Sequence, residues 1–144
     1  MRQALAAAQQ AASREEVPVG AVVVYAGEVI GEGHNRREAC QSALGHAELV
    51  AIEQASGHLS SWRLSECDIY VTLEPCIMCM GAIIQARIDR LVFGAHDPKA
   101  GAVESCYHIG SDALLNHSIT IESGILAEEC GAILKDFFRG KRRR

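Results

Sequence analysis

Two short segments constrain this chain more than anything else in it: His46-Ala47-Glu48, and Pro75-Cys76-Ile77-Met78-Cys79. Together they supply one imidazole, two thiols and one carboxylate. One His and two Cys make three protein ligands for Zn²⁺. A tetrahedral zinc with three protein ligands keeps its fourth position for water, which is the arrangement of a catalytic site; a structural site takes four. Any fold that uses these groups must bring two segments distant in sequence to one point. Residues two apart on a helix do not share a face, so Glu48 is a poor second ligand beside His46. It is better placed over the open coordination position, as a proton carrier.

The bulk properties fit one domain spanning residues 1–144, and the 49% hydrophobic content of the 144 residues is enough for a core. No apolar run approaches the roughly 20 residues that span a bilayer. The Ala-rich stretch from Met1 to Glu16 lacks the apolar region and cleavage site of a secretory signal. It reads as an amphipathic helix with Ala4, Leu5, Ala8, Ala11 and Ala12 on or near one face. A cytoplasmic protein without a membrane partner is expected. In that reducing compartment a C-x-x-C is metal-binding or redox rather than a disulfide framework. Cys40, Cys67, Cys106 and Cys130 are scattered and read as buried or incidental thiols.

The net charge of −4 does not by itself suggest a polyanionic partner, but its distribution does. Arg139-Gly140-Lys141-Arg142-Arg143-Arg144 holds five positive charges, so the rest of the chain carries −9. A short basic C-terminal tail (139–144) on an acidic body points to contact with a polyanion. A merely solvated terminus is the plain alternative.

Along the chain, helical and strand patterns alternate. A helix is expected over about 2–14, then a hairpin of Val19–Tyr25 and Glu28–His34 around Ala26-Gly27. A loop from Asn35 to Gly45 leads to a helix over about His46–Ser56. Next come a buried strand Ile69–Leu73, a helix over Cys76–Ala86, and a strand Leu91–Gly94. A loop follows at Asp97–Gly101, then a weak helix over Val103–Leu115, a strand at Ser118–Glu122 and a last helix Leu126–Phe138. This alternation argues for an α/β layered domain.

Both motifs therefore open helices. Helix N-termini carry unpaired N–H groups and the positive end of the dipole, which favour the thiolate that binds zinc. Cys76 and Cys79, three apart, share a helix face, and Pro75 suits a helix start. Alone, the C-x-x-C could equally be redox-active or half of a structural site. The chain has no second C-x-x-C and no H-x₃₋₅-H to complete a structural site. The remaining histidines, His34, His58, His96, His108 and His117, belong to no such pairing.

The pattern H-x-E…P-C-x-x-C is the known signature of zinc-dependent nucleobase deaminases. Beyond it, the chain resembles the bacterial tRNA-specific adenosine deaminases of the cytidine deaminase-like superfamily almost end to end. The resemblance is carried by Glu16-Val17-Pro18-Val19-Gly20-Ala21, Gly31-Glu32-Gly33-His34-Asn35-Arg36, Val71-Thr72-Leu73-Glu74-Pro75-Cys76 and Leu91-Val92-Phe93-Gly94-Ala95. It continues through Asp97-Pro98-Lys99-Ala100-Gly101-Ala102, Leu115-Asn116-His117 and Gly124 to Cys130.

The resemblance implies a three-layer α/β/α cytidine deaminase-like fold with a mixed five-stranded sheet. It implies a homodimer with one Zn²⁺ per subunit, held by His46, Cys76 and Cys79, with Glu48 catalytic. The implied reaction is hydrolytic conversion of adenosine to inosine at the wobble position of an arginine tRNA, releasing ammonia. Implied substrate contacts are Asn35 on the base, Val19 as an apolar wall, Ala47 and Pro75, and Asp97 and Lys99 toward the anticodon loop. Asn suits adenine because its amide both donates and accepts.

Two stretches depart from the family. Gln41-Ser42-Ala43-Leu44-Gly45 stands where Asp-Pro-Thr-Ala is common, and Val103 to Asp112 replaces a Ser-rich stretch. Neither touches the zinc chemistry. A deaminase of free guanine or cytosine would use the same four groups without RNA. A zinc-stabilised RNA-binding module would need no Glu48.

Overall fold

A β-branched run builds the first strand of the sheet. The computed structural model describes residues 1–111 and 115–143. Strand β1 (Gly20–Tyr25) is buried over its first four residues. It turns back into β2 (Glu28–His34) through Ala26 and Gly27, which both have positive φ (51° and 79°), as a two-residue type I′ hairpin requires. The two strands pair antiparallel, with an irregularity between Val23 and Val24.

Strand β3 (Cys67–Leu73) lies antiparallel on the other side of β1. From there the sheet changes character: β3 pairs parallel with β4 (Arg90–Ala95), and β4 pairs parallel with β5 (Thr120–Glu122). The order is β2-β1-β3-β4-β5, a mixed five-stranded sheet, as expected.

Helices cover both faces. Helix α1 (Arg2–Ser13) packs on β1, β2 and β3 and meets α5 (Ala127–Arg142), which packs on β4 and β3. Its buried face is made of Ala4, Ala7, Ala8 and Ala11; Leu5 and Ala12 are only half-buried. Side chains this small let the helix backbone approach the strand closely. On the opposite face α3 (Ala47–Leu59) lies over β2 and β1 beside α4 (Ile77–Gln85), the crossover between the parallel strands β3 and β4. Ile69, Met80, Ile83, Leu91 and Phe93, all fully buried, fill the core.

Three local expectations are corrected. The loop 35–45 contains a short helix, α2 (Arg37–Cys40). The N–H groups of Glu38 and Ala39 in it are accepted by Glu16, a partner too far away in sequence for any local pattern to reveal. No helix forms over the described part of 103–115; the chain there turns, because successive N–H groups of Val103, Glu104 and Ser105 point at one carboxylate, that of Glu74. Residues 112–114 of that expected helix lie outside the described residues. The expected basic tail is largely helix: Arg139, Lys141 and Arg142 form the last turn of α5, with Arg144 outside the described residues. Among the described residues no helix is long and apolar enough to cross a membrane.

One contact seats the helix that carries His46 and Glu48. A Cβ on Gly33 would meet the Ala47 carbonyl, and would lie 2.7 Å from Val50 Cβ and 2.8 Å from Ala51 N. The first turn of α3 thus rests directly on the β2 backbone. Gly33→Ala is expected to destabilise the fold by about 1–3 kcal/mol, the usual cost of overpacking. It should also weaken metal retention, because the displaced turn follows His46. Denaturant midpoints and bound-zinc stoichiometry would check both effects.

Candidate active site

Two helix N-termini point at one place. His46 is the N-cap of α3 and Cys76 the N-cap of α4, both with extended backbone (ψ 146° and 176°). Cys79 follows in the first turn of α4. The ligands therefore sit where unpaired N–H groups and the positive dipole end favour anionic sulfur. Pro75 stands one residue before the N-cap rather than inside the helix. It is buried, and its carbonyl accepts the Ala102 N–H at 2.9 Å.

His46 Nδ1 lies 3.6 Å from Cys76 Sγ and 3.5 Å from Cys79 Sγ. The three ligand atoms lie within 4.8 Å of one another. Zinc bonds of about 2.3 Å to sulfur and 2.0–2.1 Å to nitrogen at tetrahedral angles give an S···N edge of roughly 3.5–3.6 Å. The donor set therefore fits zinc in both chemistry and spacing. The cluster also favours the thiolate at Cys76. The hydrogen bonds from Cys79 and then from His46 bring the Cys76 thiol down to about 3. The same sharing, with burial, drives the Cys79 thiol up. The bond to Cys76 raises His46.

Glu48, 4% exposed, is the buried carboxyl beside this cluster. Burial raises it to about 7, against opposing hydrogen bonds from its own N–H and from Cys79. A carboxyl poised near neutrality can both take and give a proton.

The cluster opens into a cavity of about 160 Å³. Of the residues expected there, Val19, Asn35, Ala47 and Asp97 line it, with His46, Glu48 and Cys76. Pro75 and Lys99 do not: Pro75 is buried behind, and Lys99 lines a neighbouring groove with Lys135, Arg139, Lys141 and Arg142 of α5. Asn35 is held on both sides. Its Nδ2 donates to the Val17 carbonyl and its Oδ1 accepts the Arg37 N–H, both at 3.1 Å. One donor hydrogen and one acceptor lone pair remain for a ligand.

Sequence reasoning assigned no role to Val17, Arg37, Leu73 or Ala100, which also line the cavity, and missed Glu74. Glu74, 2% exposed, accepts the N–H groups of Asp97 (3.0 Å), Val103 (3.0 Å), Glu104 (2.8 Å) and Ser105 (3.0 Å), and the Ser105 hydroxyl. It thereby folds the 97–105 loop around itself. The available signal was an ionisable residue directly after a buried strand and before a ligand.

Burial alone would raise the Glu74 carboxyl, but the Glu104 N–H, the Ser105 hydroxyl and the Asp97 and Ser105 N–H groups outweigh it and hold it at about 2. A carboxyl depressed in the folded state stabilises fully above its ordinary value of 4.5. That contribution is lost as pH falls from there toward about 2. Glu74→Gln turns a donor toward N–H groups and should cost about 3 kcal/mol at pH 7. Acid unfolding curves should show the variant without the wild-type loss of stability in that window.

The MafB19-like deaminase family matches residues 1–142. The tRNA-specific adenosine deaminase of Streptococcus pyogenes serotype M1 is 45% identical over 144 residues, covering 100% of this chain and 84% of that protein. Its namesake in Bacillus subtilis (strain 168) is 43% identical over 100% of this chain and 89% of its own length. A solved structure from studies of A-to-I editing by tRNA:A34 deaminases at the wobble position of transfer RNA superposes with a TM-score of 0.89. It is 45% identical and covers 93% of this chain and 97% of that chain. A guanine deaminase from Bacillus subtilis is more distant, with a TM-score of 0.65 and 26% identity over 99% of this chain and 91% of its own. The match extends over nearly the whole chain and includes the ligand cluster, so this protein is an enzyme of the MafB19-like deaminase family with the cytidine deaminase-like fold, and belongs among the bacterial tRNA-specific adenosine deaminases.

Proposed function

We propose that this chain converts adenosine to inosine at the wobble position of a tRNA anticodon, of the arginine type, by zinc-dependent hydrolysis. We further propose that it acts in the cytoplasm as a homodimer with one zinc per subunit. The observation that carries the reading is the His46, Cys76 and Cys79 cluster with buried Glu48 beside it, at a cavity next to a basic groove. The relatives named above support the choice of adenosine in tRNA.

When bound, zinc supplies Lewis acidity that makes water nucleophilic near neutral pH. His46, Cys76 and Cys79 would hold it. Glu48 accepts a proton from the attacking water and delivers it to a ring nitrogen of the base. It then serves the departing amine as ammonia leaves. Val19 and Ala47 give the cavity apolar walls, and Asn35 offers its remaining donor and acceptor to the base edge. An anticodon loop is already partly unstacked, so extruding its base costs less than from a duplex.

The test is an inosine assay on zinc-loaded wild type and Glu48→Ala. The substrates are an anticodon stem-loop with wobble adenosine, free adenosine, guanine and cytosine. Inosine from the stem-loop alone is expected, with at least a 10²–10⁴-fold loss in Glu48→Ala at unchanged zinc content. Turnover of guanine or cytosine with a silent stem-loop would overturn the substrate assignment.

A further inference from the structure

The cavity is too small for more than a ring system. Its volume of about 160 Å³ falls below the roughly 300–1,000 Å³ of sites that engulf drug-sized ligands. A nucleotide that puts its base there leaves sugar and phosphate at the mouth. The charged residues lining the cavity are His46, Glu48, Glu74, Asp97 and Arg37. His46 and Glu48 belong to the reacting centre. Glu74 is saturated by its loop, and Asp97 Oδ1 is turned to the Lys99 and Ala100 N–H groups (3.0 and 3.3 Å).

Arg37 differs from all of these. It is exposed, and its guanidinium has no hydrogen bond or ion pair among the described residues. Its backbone is fixed: the N–H donates to Asn35 Oδ1 at 3.1 Å, the carbonyl accepts the Ser42 N–H at 3.1 Å, and Gly45 is packed against its Cα. A free guanidinium on a fixed base, beside the amide group offered to the substrate, is built to receive an anion.

We infer that Arg37 binds a backbone phosphate flanking the nucleotide whose base occupies the cavity, and so selects a polynucleotide over a free base or nucleoside. The 97–100 loop forms a second wall of the cavity, with Asp97 and Ala100 facing inward and Lys99 facing the basic groove of α5. The strand thus meets positive charge both at Arg37 and beyond that wall. This inference rests on the RNA reading of the site and assigns it a specificity-determining residue.

Wild type, Arg37→Ala and Arg37→Lys should be compared on the anticodon stem-loop across a salt series. The same stem-loop with a neutral methylphosphonate at either phosphate flanking the target completes the set. Arg37→Ala is expected to raise KM about tenfold with kcat within about twofold. It should flatten the slope of log kcat/KM against log salt by about 0.7, the increment for one contact on a single strand. Arg37→Lys should restore most of the salt slope. One methylphosphonate should cost wild type a similar factor and cost Arg37→Ala nothing more.

Melting temperatures should be unchanged, because the contacts at this position are made by the backbone. An unaltered KM and slope in Arg37→Ala, or a wild type indifferent to both neutral linkages, overturns the phosphate contact while leaving the deaminase reading intact. A wild type that ignores the stem-loop and turns over a free base overturns that reading, and the contact with it.

Discussion

Everything else in this molecule serves the meeting of two helix N-termini. His46 and Cys76 are N-caps of helices that start from different parts of the sheet, and their ligand atoms come within 3.6 Å. Neither residue spends its side chain on capping its own helix. What would ordinarily satisfy a helix end is turned toward a shared point instead. The mixed sheet makes this possible. The antiparallel half, β2 and β1, seats α3, and the parallel half begins at β3, whose carboxyl end delivers Cys76. Ligand sites in α/β sheets lie at the carboxyl ends of strands near such changes of direction.

The rims of the cavity are held by a different device. Each is a loop hung from one buried carboxylate: Glu16 receives the N–H groups of Glu38 (3.1 Å) and Ala39 (2.7 Å), and Glu74 receives those of the 97–105 loop. A buried charge is tolerable only when hydrogen-bonded, and both are. Glu74 lies between Leu73, a cavity wall, and Pro75, the neighbour of a ligand. It therefore sets the second rim relative to the candidate ligand Cys76, with only Pro75 between them. Asn35 does similar work on the first rim, joining Val17 to Arg37 by its amide.

What was legible in the sequence follows from this division. The regular elements carry their own signals. The GAVVVY run, the Ala-Gly turn and the helices that open at the two motifs all stand close to where their patterns place them. The grouping of His46, Cys76 and Cys79 was legible because few spacings suit zinc, and the signature they share with the family reinforced that. The rims were not. Helix α2 depends on Glu16, and the turns after Gly101 depend on Glu74, both supplied from more than twenty residues away. The positive charge after Phe138 was visible as composition, yet only the structure shows Arg139, Lys141 and Arg142 to form the last turn of α5, facing a groove that Lys99 completes.

Suspending the rims from backbone N–H groups has an evolutionary corollary. Every residue except proline offers the same N–H, so the attachment is indifferent to the side chains at positions 38, 39, 97, 103 and 104, while Ser105 adds its own hydroxyl. Such loops can change sequence without renegotiating the fold or disturbing the ligands beneath them. The loops after α2 and after Gly101 adjoin these anchors or contain them. Diversification of substrate around a constant chemistry is then the cheapest path open to such a scaffold, with proline at an anchoring position as its main prohibition.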